Sequence, residues 1–308
     1  MAPLFWTGKL SAPMRLLANA NCLLAWVTGA AGDTETMHRH MKSGYDGEMS
    51  DDVRRYDELC LDQYSRIART LLDGVDVDGL EVVDIGCGTG VLAFECLARG
   101  AKSVTCADVS KLMLDMCRKN ARERSYADDR IAFHLIGGTS GQLESGRFDA
   151  ALSSMVLGMV PDPEAILNDA TRLVRPGGTV AVATHGPEYD WEPTDAAFRV
   201  IPKRYVLGYR IEFWPQSEEL VSDLLEEAGL AEVRTGRRRW MLEFDDPGDA
   251  FDFFCTSSSA FWYAKIPPDA RERVAAHMKR GFRRRGVDRV THDIVFGYGR
   301  KVDSMRRT

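Results

Sequence analysis

The residues best suited to chemistry gather at 81–90, in the run Glu-Val-Val-Asp-Ile-Gly-Cys-Gly-Thr-Gly. Gly86, Gly88 and Gly90, at alternate positions, let the backbone turn sharply and approach a ligand closely. Asp84 stands just before them, at the end of an apolar run. A second carboxylate, Asp108, closes the next apolar run, where it can accept hydrogen bonds from both hydroxyls of a ribose. Ser153 ends a further apolar run and His185 another. His185 is the leading general base, with Glu188 and Asp190 behind it, and it reads equally well as a pocket-lining or hydrogen-bonded structural histidine.

A parallel sheet must position these groups. Between residues 81 and 182 short apolar runs alternate with helical patterns, the mark of strands joined by crossover helices. Strands are expected at 81–85, 103–107, 131–136, 150–153 and 179–183. Ser110 caps a helix through Met113 and Cys117, and Asp162-Pro163 supplies a cap and first-turn proline for another that ends before Arg175. Pro176-Gly177-Gly178 turns the chain into the next strand. Ser217 opens a helix closing at Gly229, 232–243 reads as a strand, 247–286 as mostly helical, and 291–301 as a final strand. The expected fold class is α/β: a doubly wound, mostly parallel, Rossmann-like seven-stranded sheet with helical additions. Residues 1–60 read as a helical leader or cap. Residues 61–308 read as the main domain, with an aromatic, period-free insertion at 185–215 and a helical one at 247–286. A strand, glycine-rich turn and helix N-terminus at the carboxyl edge of such a sheet form a crevice for a nucleotide-like ligand.

In these features the sequence resembles the class I S-adenosylmethionine-dependent methyltransferases, particularly the small-molecule group that includes the ubiquinone and menaquinone C-methyltransferases. The resemblance covers about residues 82–182. It implies S-adenosylmethionine as cofactor, with Asp84, Gly86, Cys87, Gly88 and Gly90 in the turn around its methionine part and Asp108 on its ribose. It also implies Val109 and Met113 against adenine, and a fourth strand running from Phe148-Asp149 to Ser153-Ser154, its end facing the cofactor. Arg175-Pro176-Gly177-Gly178 matches the family's turn before the fifth strand. Two departures stand out. The family's frequent Gly-Asp after the third strand is Gly138-Thr139 here, where Thr139 still offers a hydroxyl and an N–H to adenine. The paired histidines of some relatives are Gly158-Met159, so no mechanism carries over from them. A dehydrogenase would more commonly show the spacing GxGxxG.

The resemblance implies methyl transfer by in-line displacement to an oxygen, nitrogen or carbon acceptor. The aromatic insertion favours a small apolar or aromatic molecule, with Tyr189, Trp191 and Trp214 as its walls; the resemblance puts Tyr45 of the leader over the cofactor, with Tyr56 and Tyr64 competing for that role. A protein or nucleic-acid methyltransferase and a non-catalytic S-adenosylmethionine-binding subunit are the alternatives. The motif Asn/Asp-Pro-Pro-Tyr/Phe of many base and amide N-methyltransferases is absent, its place being held by Ser153-Ser154-Met155-Val156.

Bulk properties narrow the field. The 308 residues are 44% hydrophobic with a net charge of -6, which disfavours a phosphate-backbone binder despite the basic runs at 237–239 and 279–285. The seven cysteines form no C-x-x-C pair and fit a reducing, cytoplasmic setting. His38 and His40 lack further ligands at metal spacing, so no metal is expected. Residues 14–32 read as an amphipathic helix that packs on the domain or covers a pocket, with no stable membrane insertion expected. A homodimer is compatible with the sequence.

Overall fold

The computed structural model describes residues 9–27, 50–160, 162–202, 214–257 and 266–302. Its strands are β1 (Glu81–Ile85), β2 (Ser103–Asp108), β3 (Ile131–Leu135), β4 (Phe148–Ser154), β5 (Val174–His185), β6 (Leu230–Glu243) and β7 (Arg289–Lys301). They form one sheet in the order β3-β2-β1-β4-β5-β7-β6. The first five run parallel; β7 is antiparallel to both β5 and β6. This is the α/β, doubly wound, mostly parallel sheet expected from the sequence.

Helices cover both faces, which is why β1 is buried along nearly its whole length. Successive residues of a strand point to opposite faces, and the two cores divide accordingly. Val82 and Leu152 pack with α2 (Ser50–Leu72), α3 (Val91–Ala98) and α4 (Lys111–Glu123), whereas Val83 and Ala151 pack with α5 (Pro163–Leu173) and α7 (Glu218–Glu227). The caps read from the sequence are formed. Ser110 Oγ accepts the Met113 N–H, Asp162 that of Ala165, and Ser217 that of Leu220.

Some expectations shift. Arg175-Pro176-Gly177-Gly178 does not precede β5 but lies inside it, as an irregularity: Val174 pairs with Phe148, the ladder resumes with Thr179 opposite Ala150, and Gly177 takes φ 77°. The insertion at 185–215 contains an ordered helix, α6 (Trp191–Val200), whose proline, Pro193, sits in the first turn where it costs no hydrogen bond. Residues 203–213 lie outside the described ones. The segment at 247–286 contains α8 (Pro247–Ser257) and α9 (Pro268–Arg285), the latter ending at Gly286 in the left-handed region.

A third core joins α6, α8 and α9 through Ala197, Phe251, Phe254, Met278 and Phe282. Near the N-terminus α1 (Ala12–Val27) packs on Phe198 of α6 through Met14 and Ala18, joined by Leu10 just before the helix, and Ser11 bonds to Asp195 through both its N–H and its hydroxyl. The helix therefore docks on the insertion after β5. One continuous helix, α2, spans the expected junction near residue 60.

Phe282 is fully buried, with its ring 5.2 Å from that of Phe251 and 6.0 Å from that of Phe254. Phe282→Ala is expected to destabilise the protein by about 3–5 kcal/mol, the usual cost of emptying a buried aromatic site. Urea unfolding followed by circular dichroism measures this.

Candidate functional site

The site is built around the loop that leaves β1. Gly86, Gly88 and Gly90 all have positive φ, at 74°, 53° and 98°, a region that glycine enters without steric cost. The loop is laced to the end of β2: the N–H groups of Gly86 and Cys87 donate to Ala107 O at 2.7 and 3.2 Å, and the Gly88 N–H donates to Asp108 Oδ2 at 2.8 Å. The other Asp108 oxygen, Oδ1, accepts the Ser110 N–H at 2.8 Å. The surroundings of the three glycines differ. A Cβ on Gly86 would overlap the Val156 side chain, one on Gly90 would lie 2.5 Å from Cys117 Sγ, and one on Gly88 would meet nothing within 4 Å. Gly88 thus faces open space.

That space is a pocket at the carboxyl ends of β1, β2 and β4, where the strand order reverses and α/β sheets place their ligands. Its wall includes Asp84, Gly86, Cys87, Gly88, Asp108, Val109 and Met113, all expected from the sequence. Asp84 is almost wholly buried, and neither carboxylate oxygen has a hydrogen-bond partner of good geometry, the Ala93 N–H being a backbone donor nearby. Burial pushes its carboxyl well above the usual range, with Cys117 and Asp108 adding to the shift and the Ala93 N–H opposing it. A buried acid of this kind on a pocket wall invites a cationic ligand group. Burial also raises the Cys87 thiol.

Other expected residues lie off the wall. Gly90 sits beneath the loop against Cys117 and Phe94. Ser153 is buried and donates its hydroxyl to Ile85 O at 2.9 Å, tying β4 to β1; its neighbour Ser154 reaches the pocket instead. Thr139 is exposed, and Gly138 takes the wall position. Trp214 packs against the core beneath α5 and α7, and Trp191 lies under the Lys9 ammonium, 4.5 Å from its ring centre. Tyr45, His38 and His40 lie outside the described residues.

His185 and Tyr189 belong to a buried cluster beside the pocket. The rings of His185 and Tyr189 meet edge to face at 4.5 Å, Tyr189 stacks on His292 at 5.3 Å, and Gln63 donates to the Tyr189 hydroxyl at 3.1 Å. Burial lowers both histidines to about 3, helped by His292 in the case of His185 and by Arg66 in the case of His292. Both are therefore neutral at neutral pH. Sequence reasoning missed most of the far wall, Ala68 of α2 with Met155, Val156, Met159 and Val160 following β4; Tyr64 of α2, which competes with Tyr45 in the sequence, lines it too. Met155 carries the one available signal only in the backbone, at φ 61°.

The comparisons agree with this geometry. Residues 83–182 match the family described as methyltransferase domain. Over 134 residues the chain is 34% identical to the ubiquinone biosynthesis O-methyltransferase of Alkalilimnicola ehrlichii, covering 42% of this chain and 50% of that protein. Over 112 residues it is 30% identical to the ribosomal protein L11 methyltransferase of Pseudomonas putida, covering 36% of each. The matches thus span half or less of those two relatives. Among solved structures, phosphoethanolamine N-methyltransferase 2 of Haemonchus contortus, in complex with phosphomonomethylethanolamine and S-adenosylhomocysteine, gives a TM-score of 0.54 at 15% identity, covering 86% of this chain and 60% of that one. The YcgJ protein of Bacillus subtilis gives 0.53 at 13% identity, covering 79% and 100%; both show the shared fold. Residues 83–182 thus carry a methyltransferase domain.

The buried histidines generate a pH dependence. Because their folded values lie near 3 and an unfolded histidine titrates at 6.5, the unfolded chain binds more protons across that interval. Stability is fully present above pH 6.5 and falls as pH drops toward 3. His185→Gln removes one proton from this linkage, so the slope of unfolding free energy against pH in that window, measured by urea unfolding, is expected to decrease.

Proposed function

We propose that this protein is an enzyme transferring the methyl group of S-adenosylmethionine to a small, apolar or aromatic acceptor. The observation that carries the reading is the pairing, in one pocket, of two buried carboxylates with a largely apolar wall. Asp84 would take the cofactor's ammonium group. Asp108 would take the ribose hydroxyls, because an ionised carboxylate is an acceptor-only group that can receive several hydrogen bonds at once. Val109, Met113 and Ile136 would enclose the adenine. When bound, S-adenosylmethionine supplies an electrophilic methyl carbon on a positively charged sulfur.

Tyr64, Ala68, Met155, Val156 and Met159 exclude water from the remaining wall and orient an apolar partner. Among the described wall residues the ionisable groups are Tyr64, Asp84, Cys87 and Asp108. His185, low in proton affinity and off the wall, acts in this reading as a structural member of the buried cluster. Small-molecule methylation is supported by the net charge of -6 and by the ubiquinone-pathway relative. The ribosomal-protein relative makes protein methylation the alternative outcome of an acceptor screen. No described helix is long and apolar enough to cross a membrane.

Calorimetry with S-adenosylhomocysteine tests the cofactor half. Asp108→Ala is expected to lower affinity tenfold or more, at about 1.5–3 kcal/mol for each hydrogen bond to a charged group. Gly88→Val, whose side chain would enter the pocket, is expected to abolish binding in a folded protein. Methyl transfer to pooled small metabolites, protein and RNA tests the acceptor; transfer confined to protein or RNA would overturn the small-molecule reading.

A further inference from the structure

Three of the seven cysteines come together beneath the glycine loop, although the sequence separates them. Cys87 belongs to the loop, Cys106 to the middle of β2 and Cys117 to α4. Their sulfurs all lie within 4.8 Å of one another, and those of Cys106 and Cys117 are 3.9 Å apart. All three are buried and none is in a disulfide. Cys22, Cys60, Cys96 and Cys255 stand outside the group.

We propose that Cys87, Cys106 and Cys117 form a three-thiolate site for a soft, thiophilic metal ion. With metal–sulfur bonds of about 2.3 Å, three thiolates around one ion have their sulfurs roughly 3.8–4.0 Å apart. The Cys106–Cys117 separation already has that value, and Cys87 needs only a small approach. The donor set selects the ion: sulfur alone suits soft ions such as Cu(I) or Cd(II), and disfavours Mg(II) and Ca(II), which require oxygen ligands. Among the described residues no histidine or carboxylate joins the cluster, so the site is three-coordinate, unlike the four-coordinate structural zinc centres. Cys87 also lines the pocket, which gives an ion a route in. Binding converts the thiols to thiolates and releases their protons. A captured ion would fasten the loop to both β2 and α4. The site follows from sulfur geometry and does not depend on the methyl-transfer reading.

The test is titration of the reduced full chain with Cd(II) against a competing chelator, following thiolate-to-cadmium absorption, with 113Cd NMR of the wild-type protein to count the sulfur ligands. One equivalent with three sulfurs is expected. Cys87→Ala, Cys106→Ala and Cys117→Ala should each weaken binding by more than about tenfold, since even the outer partners of a metal matter by 10–100-fold. Cys22→Ala and Cys255→Ala should leave binding unchanged. Failure of the wild-type protein to take up one tight equivalent, or an NMR signal from fewer than three sulfurs, overturns the proposal without recourse to any variant. So does loss of binding in the Cys22 or Cys255 variant.

Discussion

The Asp108 carboxylate accepts the Gly88 N–H with one oxygen and the Ser110 N–H with the other. This side chain sets the distance between the loop after β1 and the start of α4, and the pocket wall on that side is hung from both. Hydrogen bonds to a charged acceptor are shorter and stronger than neutral ones, and here they are nearly shielded from solvent. The loop's conformation therefore depends on a residue 20 positions away. Positive φ at the three glycines makes the turn accessible, and Asp108 selects one form of it.

This arrangement explains why one wall of the pocket could be read in the sequence. Its groups are backbone turns and single residues at strand ends, where local pattern and three-dimensional position coincide: Asp84 is the last residue but one of β1, Asp108 ends β2, and Ser110 caps α4. Where the reading failed, the cause was the difference between neighbours on a strand. Ser153 and Ser154 lie on opposite faces of β4; one is tied to Ile85 O and the other reaches the pocket. Nothing in the two letters distinguishes them.

The far wall was illegible for a different reason. Ala68 lies on α2, before the first strand, and although Tyr64 one turn earlier competes with Tyr45 in the sequence, no local pattern says that this helix returns to the pocket. The aromatic residues after β5 suggested walls of the acceptor site because composition cannot tell a pocket wall from a buried cluster. Tyr189 stacks on His292 of β7 and bonds to Gln63 of α2, so its burial comes from strands and helices far away in the chain. The same holds for the three sulfurs under the loop, which only the adjacency of β2, α4 and the turn brings within reach of one another.

The placement of β7 bears on how the chain is assembled. It is the last strand in sequence, yet it lies between β5 and β6, pairing with β5 from Thr179↔Arg300 to His185↔Ile294 and with β6 along nearly its whole length. Until residues 289–301 arrive, β5 and β6 have no neighbour on their facing sides, and each presents a row of unpaired N–H and C=O groups able to recruit another strand. Closure of the sheet thus depends on contacts far apart in sequence, and high contact order slows folding and prolongs the exposure of those edges. The arginines at 237–239 lie on β6, beside the gap. Their mutual repulsion between copies would guard that edge while it waits for its partner.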